Sequence, residues 1–114
     1  MISKWDIWLA NLDPVIGSEQ GKTRPVLIIS NEDVNKLLNV VNVLPITSKK
    51  HNRIIYPNEV LIVAGNYGLI KDSIIMCQQI RTLDKVRMIS KIGIIDESET
   101  RQKIIKSLTF QLIK

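Results

Sequence analysis

The segment Trp5 to Leu12 repeats with period two, placing Trp5, Ile7 and Leu9 on one face and Asp6, Trp8 and Ala10 on the other. This pattern predicts a strand. Asp13-Pro14 ends it, because proline lacks the N–H that a ladder needs, and the polar stretch through Gly17 and Gly21 up to Pro25 reads as a loop. Val26 to Ser30 and Val40 to Ile46 are runs rich in β-branched residues, the pattern of central strands buried on both faces. Between them Glu32 to Asn39 has room for only a short helical turn, with Asn31 as its N-cap.

Past a polar, basic segment from Thr47 to Asn52, further strands are expected at Arg53 to Tyr56, Glu59 to Val63, Ser73 to Gln79 and Val86 to Lys91, with a turn at Gly65-Asn66-Tyr67-Gly68. Near the C-terminus the period changes. Ile104, Ile105, Leu108 and Leu112 form a helical stripe, and Asp96 with Glu99 fits an acidic variant of the capping box. Six or seven short strands and one terminal helix predict a mainly β fold: a small, strongly bent antiparallel sheet or barrel with the C-terminal helix packed on it.

With 114 residues and neither an internal repeat nor a linker, the chain is expected to form a single domain over residues 1–114. Its 45% apolar and 24% charged residues make it globular rather than disordered. The lone Cys77 excludes a disulfide framework and a thiolate zinc site within one chain, and favours a reducing, cytoplasmic setting. Asp6 interrupts any signal peptide, and no apolar run approaches the roughly 20 residues of a bilayer span, so a soluble protein without a membrane partner is expected. Residues 61–114 carry 9 basic and 5 acidic side chains, against 7 and 6 in residues 1–60. This positive excess permits nucleic acid as a partner without requiring it.

Gly17 to Thr23 looks at first like a phosphate-binding P-loop, but three residues rather than four separate Gly17 from Gly21-Lys22-Thr23, and Pro25 stands where a helix should be running. A nucleoside-triphosphate site is therefore rejected, although Gly amides and Lys22 can still meet phosphate. His51 is the single histidine, which excludes a two-histidine acid/base nuclease, and no cluster has metal-ligand spacing. Cys77, inside an apolar run, reads as an inert buried thiol. Arg24 stands between the loop and a buried strand, pinned by Pro25; it either serves a site or pairs with Glu19 or Asp13. Thr47 and Ser48 close a strand, where hydroxyls either satisfy loop amides or face a site. Strand alternation sends Gln78 and Gln79 to opposite faces.

Taken in order, Asp6-Ile7-Trp8-Leu9, Leu12-Asp13-Pro14, Gly17-Ser18-Glu19-Gln20, Arg24-Pro25-Val26, Pro45-Ile46-Thr47-Ser48 and Gln79-Ile80-Arg81-Thr82-Leu83-Asp84-Lys85 closely resemble the MazF/PemK family of toxin endoribonucleases. The resemblance implies an SH3-like barrel with a C-terminal helix. It implies a ribosome-independent enzyme that cuts single-stranded RNA at a short sequence with no metal or other cofactor, the ribose 2′-OH attacking the adjacent phosphorus to leave 2′,3′-cyclic phosphate and 5′-OH ends. By the same resemblance Arg24 matches the central arginine, Thr47 the hydroxyl that binds the scissile phosphate, and Glu19 a loop carboxylate of acid/base chemistry. Ser48, Gln79 and Arg81 match groove-lining positions, and Ser18, Gln20 and Lys22 of the loop join them as substrate contacts. Met76 and Gln78 replace the Arg and Asp of the PemK branch, so the MazF-like arrangement around Arg24 and Thr47 is preferred. A homodimer and an antitoxin with an acidic, disordered C-terminal segment are the implied partners. Two alternatives share the barrel. A CcdB-like gyrase toxin needs a terminal Trp-Gly-Ile, whereas this chain ends Phe110-Gln111-Leu112-Ile113-Lys114; a non-catalytic RNA-binding barrel would have Arg24 and Thr47 far apart or buried.

Overall fold

The computed structural model describes every residue except Val15 and Gln20. Seven strands form one bent antiparallel sheet: β1 (Asp6–Asn11), β2 (Thr23–Ile28), β3 (Val40–Ser48), β4 (Glu59–Ile62), β5 (Ser73–Met76), β6 (Arg81–Asp84) and β7 (Met88–Ile94). A short helix, α1 (Glu32–Leu37), links β2 to β3, and α2 (Ser98–Leu112) follows β7. Asn31 caps α1 as expected, its side-chain oxygen accepting from the Asp33 N–H. The strands lie in the order β4-β5-β3-β2-β1-β7, with β6 also paired to β3.

β3 is the spine. Val43 to Pro45 pair with β2 along one edge, while Val40 to Val43 pair with β6 and Ile46 to Ser48 with β5 along the other. β5 and β6 are thus successive parts of one run along β3, interrupted by a single 3₁₀ turn, Cys77–Gln79, whose three residues account for the register shift between them. The expected strand Ser73 to Gln79 therefore stops at Met76, and the alternation assigned to Gln78 and Gln79 does not apply. A second 3₁₀ turn, Lys85–Arg87, similarly delays the expected strand at Val86 until Met88.

Alternation puts one apolar set on each face of the sheet. Ile7, Leu27, Leu44, Ile46 and Ile75 form one core with Ile95 and with Ile104 of α2; Ala10, Leu12, Val26, Ile28, Val41, Val43 and Leu83 form the other. Burying each Val, Leu or Ile contributes about 1.5–3 kcal/mol. The middle of β2 and β3 is buried on both faces, as their unbroken apolar runs predict. On α2, Ile104 is fully buried and Leu108 half-buried, but Ile105 and Leu112 are exposed, so the expected stripe is only half covered. The capping box at Asp96 does not form: α2 begins at Ser98 with Glu97 as N-cap, and the Glu97 carboxylate accepts from the Tyr67 hydroxyl (2.5 Å) instead of from helix amides.

Arg53 to Tyr56 is not a strand but an extended loop. Arg53 grips Glu59 with two parallel hydrogen bonds of 2.8 and 2.7 Å, while Glu59 also accepts from Gln78 Nε2 (2.6 Å) and the Tyr56 N–H (3.1 Å). The Glu59 side chain has 0% exposure. Burial pushes its carboxyl pKa up, but the hydrogen bonds from Arg53, Gln78 and Tyr56 outweigh that and leave it below the usual 4.5.

The two ends of the sheet meet through backbone packing. A Cβ on Gly68 would lie 1.9 Å from the Ile92 oxygen, and one on Gly93 would lie 1.9 Å from the Tyr67 oxygen. The turn after β4 therefore lies directly on β7, at a distance only glycine permits. Gly65, in the same turn at φ +90°, has no atom within 4 Å of such a Cβ.

Two outcomes follow from this packing. Gly65→Ala, which strains φ alone, is expected to cost about 1–2 kcal/mol, and Gly68→Ala, at φ +84° with the added clash, clearly more, read as urea midpoints. Because the Glu59 pKa is depressed, the stability it supplies is present above about pH 4.5 and lost as pH falls through its folded value. Glu59→Gln is therefore expected to be much less stable than the parent at pH 7, with the gap narrowing near pH 3.

Candidate active site

The β2–β3 ladder runs from Ile28↔Val43 to Val26↔Pro45. Arg24 and Thr47 stand two residues beyond the last pair of this ladder on their strands, and alternation places them on the face that carries Val26 and Pro45. Arg81 is paired with Val43 on β6 and so shares this face, with its guanidinium donating to the Leu12 oxygen at 3.3 Å. The second core thus ends in a polar margin formed by Arg24, Thr47 and Arg81.

Each member is placed by ordinary forces. Pro25 is half-buried in the pairing of β2 with β1 (Leu9↔Pro25), and Arg24, opposite Ala10, donates from Nε to the Gly21 oxygen (3.3 Å). Among the described residues it pairs with neither Glu19 nor Asp13, so the ion-pair reading of Arg24 fails. Thr47 is half-buried opposite Ile74, and Ser48 is exposed opposite Ser73. Neither hydroxyl makes a hydrogen bond among the described residues, so they do not serve to satisfy loop amides. Both line a cleft of about 220 Å³ with Lys50, Arg53 and Met76.

The loop from Leu12 to Lys22 closes through backbone bonds. The Leu12 N–H donates to the Lys22 oxygen (2.8 Å), and the Lys22 N–H donates to Asp13 Oδ1 (2.7 Å) with Lys22 itself left-handed at φ 63°. Arg87, the last residue of the second 3₁₀ turn, donates to the oxygens of Asn11 and Asp13. Gln79 Nε2 reaches the Ser18 oxygen at 3.4 Å, joining the 3₁₀ turn to this loop. Glu19 is exposed, its carboxylate accepting the Ile16 N–H (2.8 Å). Gln20 lies outside the described residues.

The structure therefore brings together Arg24, Thr47 and Arg81 on one face, Thr47 with Ser48 in one cleft, and Ser18 with Gln79. Glu19 and Lys22 remain on the exposed loop. Lys50 and Arg53 in the cleft were missed by sequence reasoning, which assigned Arg53 to a strand; the signal available was an arginine six residues before a glutamate in an otherwise apolar run. Cys77 is buried, and burial together with the Glu59 charge pushes its thiol pKa up to about 11, which leaves it inert. Among the described residues no three His, Cys, Asp or Glu side chains cluster as metal ligands would, and no helix is long and apolar enough to cross a membrane.

An arginine and a hydroxyl without a partner among the described residues, on one sheet face, suit a phosphate whose charge rises during reaction. Comparison with known proteins shows the family to which the chain is similar. Residues 3–109 match the model of the PemK-like, MazF-like toxins of type II toxin–antitoxin systems. The chain is 46% identical over 99 residues to the endoribonuclease MazF of Staphylococcus epidermidis, covering 87% of this chain and 82% of that one. Its fold superposes on the Mycobacterium tuberculosis toxin MazF-mt6 with a TM-score of 0.75 and 26% identity, covering 93% and 94% of the two chains. It also superposes on an endoribonuclease solved with its cognate antitoxin from a mycobacterial species, with a TM-score of 0.78 and 20% identity over 98% and 95%, a likeness of fold alone. With the family match running over residues 3–109 and a 46% identical endoribonuclease MazF covering most of its length, the chain belongs to the PemK-like, MazF-like toxins of type II toxin–antitoxin systems and is an endoribonuclease.

Proposed function

We propose that the chain, acting in the cytoplasm as one domain over residues 1–114, cuts single-stranded RNA at a short recognised sequence without a metal ion or the ribosome. The ribose 2′-OH loses its proton and attacks the adjacent phosphorus, the bond to O5′ breaks, and the products end in 2′,3′-cyclic phosphate and 5′-OH. The observation that carries this reading is the common face of Arg24 and Thr47 at the end of the β2–β3 ladder. Arg24 stabilises the dianionic phosphorane, since a guanidinium stays charged and offers a planar fork of donors. Thr47 donates its unengaged hydroxyl to a phosphate oxygen. Glu19 serves proton transfer by exchanging its bond to the Ile16 N–H for the substrate. Ser18, Gln20, Lys22, Ser48, Gln79 and Arg81 contact the RNA on either side.

The same basic margin suits an antitoxin with an acidic, disordered C-terminal segment, which would order itself in the groove on binding. A homodimer is supported by the apolar end of α2, where Leu112 and Ile113 are exposed rather than part of the core.

Incubation with a long single-stranded RNA in EDTA is expected to give discrete cuts ending in cyclic phosphate; intact RNA with folded protein would overturn the reading. Arg24→Ala is expected to lower the cleavage rate at least by the roughly 10²–10³-fold of one lost oxyanion donor. Thr47→Val, nearly isosteric, should lose activity at an almost unchanged thermal midpoint, because among the described residues the hydroxyl has no partner to leave unsatisfied. A large fall in the midpoint would instead assign Thr47 a structural role.

A further inference from the structure

Gln78 is the exposed residue of the 3₁₀ turn, yet its amide is not free to rotate. Nε2 donates to Glu59 Oε2 at 2.6 Å. Glu59 is held as a carboxylate by the bidentate Arg53, and a carboxylate offers only acceptors, so the amide must turn its NH₂ inward. Its carbonyl end, Oε1, accepts no hydrogen bond among the described residues. A surface glutamine ordinarily presents either end of its amide; this one presents an acceptor only.

Its position places that acceptor near the chemistry. Met76, two residues earlier, lines the cleft with Thr47, and so does Arg53, the other partner of Glu59. On its other side the turn reaches the Ser18 loop through Gln79. The turn runs along β3 between the pairings of Ile46 with Ile75 and of Val43 with Arg81, immediately beside the end that carries Thr47.

Resting on the RNA-cleaving reading above, we propose that Gln78 is a specificity-determining residue: its Oε1 accepts from the exocyclic amine of adenine or cytosine at one position of the recognised sequence and disfavours guanine and uracil, which present a carbonyl oxygen there. Glu59 and Arg53 act as positioning residues. They keep the amide in one sense, so the discrimination is built in before RNA arrives. A keto base would set oxygen against oxygen and leave both without a donor, the kind of mismatch that rejects a ligand more strongly than a missing methylene does.

The test is cleavage of an RNA pool randomised around the cut site, sequenced for the parent, Gln78→Met and Glu59→Gln, with a thermal midpoint for each. The parent is expected to favour A and C over G and U at one position by about tenfold, the worth of one hydrogen bond. Gln78→Met, a surface change of similar length without the acceptor, is expected to flatten that position and leave the preferences at the others. In Glu59→Gln the new amide can donate to Gln78 Oε1 and release its NH₂ outward, so the same position should lose its preference or turn toward G and U. An unchanged preference in Gln78→Met would overturn the proposal, as would loss of preference at every position, which would mark a general collapse of the groove. A folded parent that cuts nothing would instead remove the RNA-cleaving reading, and this assignment with it.

Discussion

Every residue of β3 is paired on at least one edge, and that constraint organises the site. Its nine residues pair with β2 on one side and with β6 and then β5 on the other. A strand tied in turn to three partners resists slipping, because a shift of one residue would turn Val43 and Leu44 out of their respective cores. Thr47, near the end of this strand, and Arg24, at the matching place on β2, therefore inherit their relative position from the cores rather than from any contact with each other. A loop-borne pair would have no such fixed spacing.

The interruption between β5 and β6 is the second organising feature. A continuous strand would have run past β3 with Gln78 and Gln79 on opposite faces. The 3₁₀ turn instead sends one glutamine to Glu59 and the other to the Ser18 loop. A single three-residue turn thus links the Glu59 network to the Ser18 loop.

Glu59 shows how a buried charge can be kept for the geometry it imposes. Removing a carboxylate from water is costly, and it is offset here only because Arg53, Gln78 and the Tyr56 N–H together satisfy both oxygens. In return the loop from Arg53 to Tyr56 is fastened to β4, and with it one wall of the Thr47 cleft. At the opposite end of the sheet the same need for fixed geometry is met without charge, by two glycines whose missing Cβ atoms let the turn at Tyr67 rest on β7.

Period and composition determined most of the architecture: the alternation from Trp5, the two apolar runs that became β2 and β3, the short helix capped by Asn31 and the terminal helix all follow from local pattern. The family itself was legible too, through blocks such as those around Arg24 and Thr47 that resemble it. What local pattern misread were places where a distant partner outweighed it. Arg53 to Tyr56 has the residues of a strand but is drawn off by Glu59; Gln78 and Gln79 continue an apolar run but break from it into a turn; Glu97 turned to Tyr67 and left the expected cap unformed. The tertiary structure alone decided that Thr47 and Arg24 share a face, that Lys50 and Arg53 join the cleft, and that the Gln78 amide has one sense. Each of these depends on strand register or on a hydrogen bond between residues brought together only by folding, which no spacing along the chain encodes.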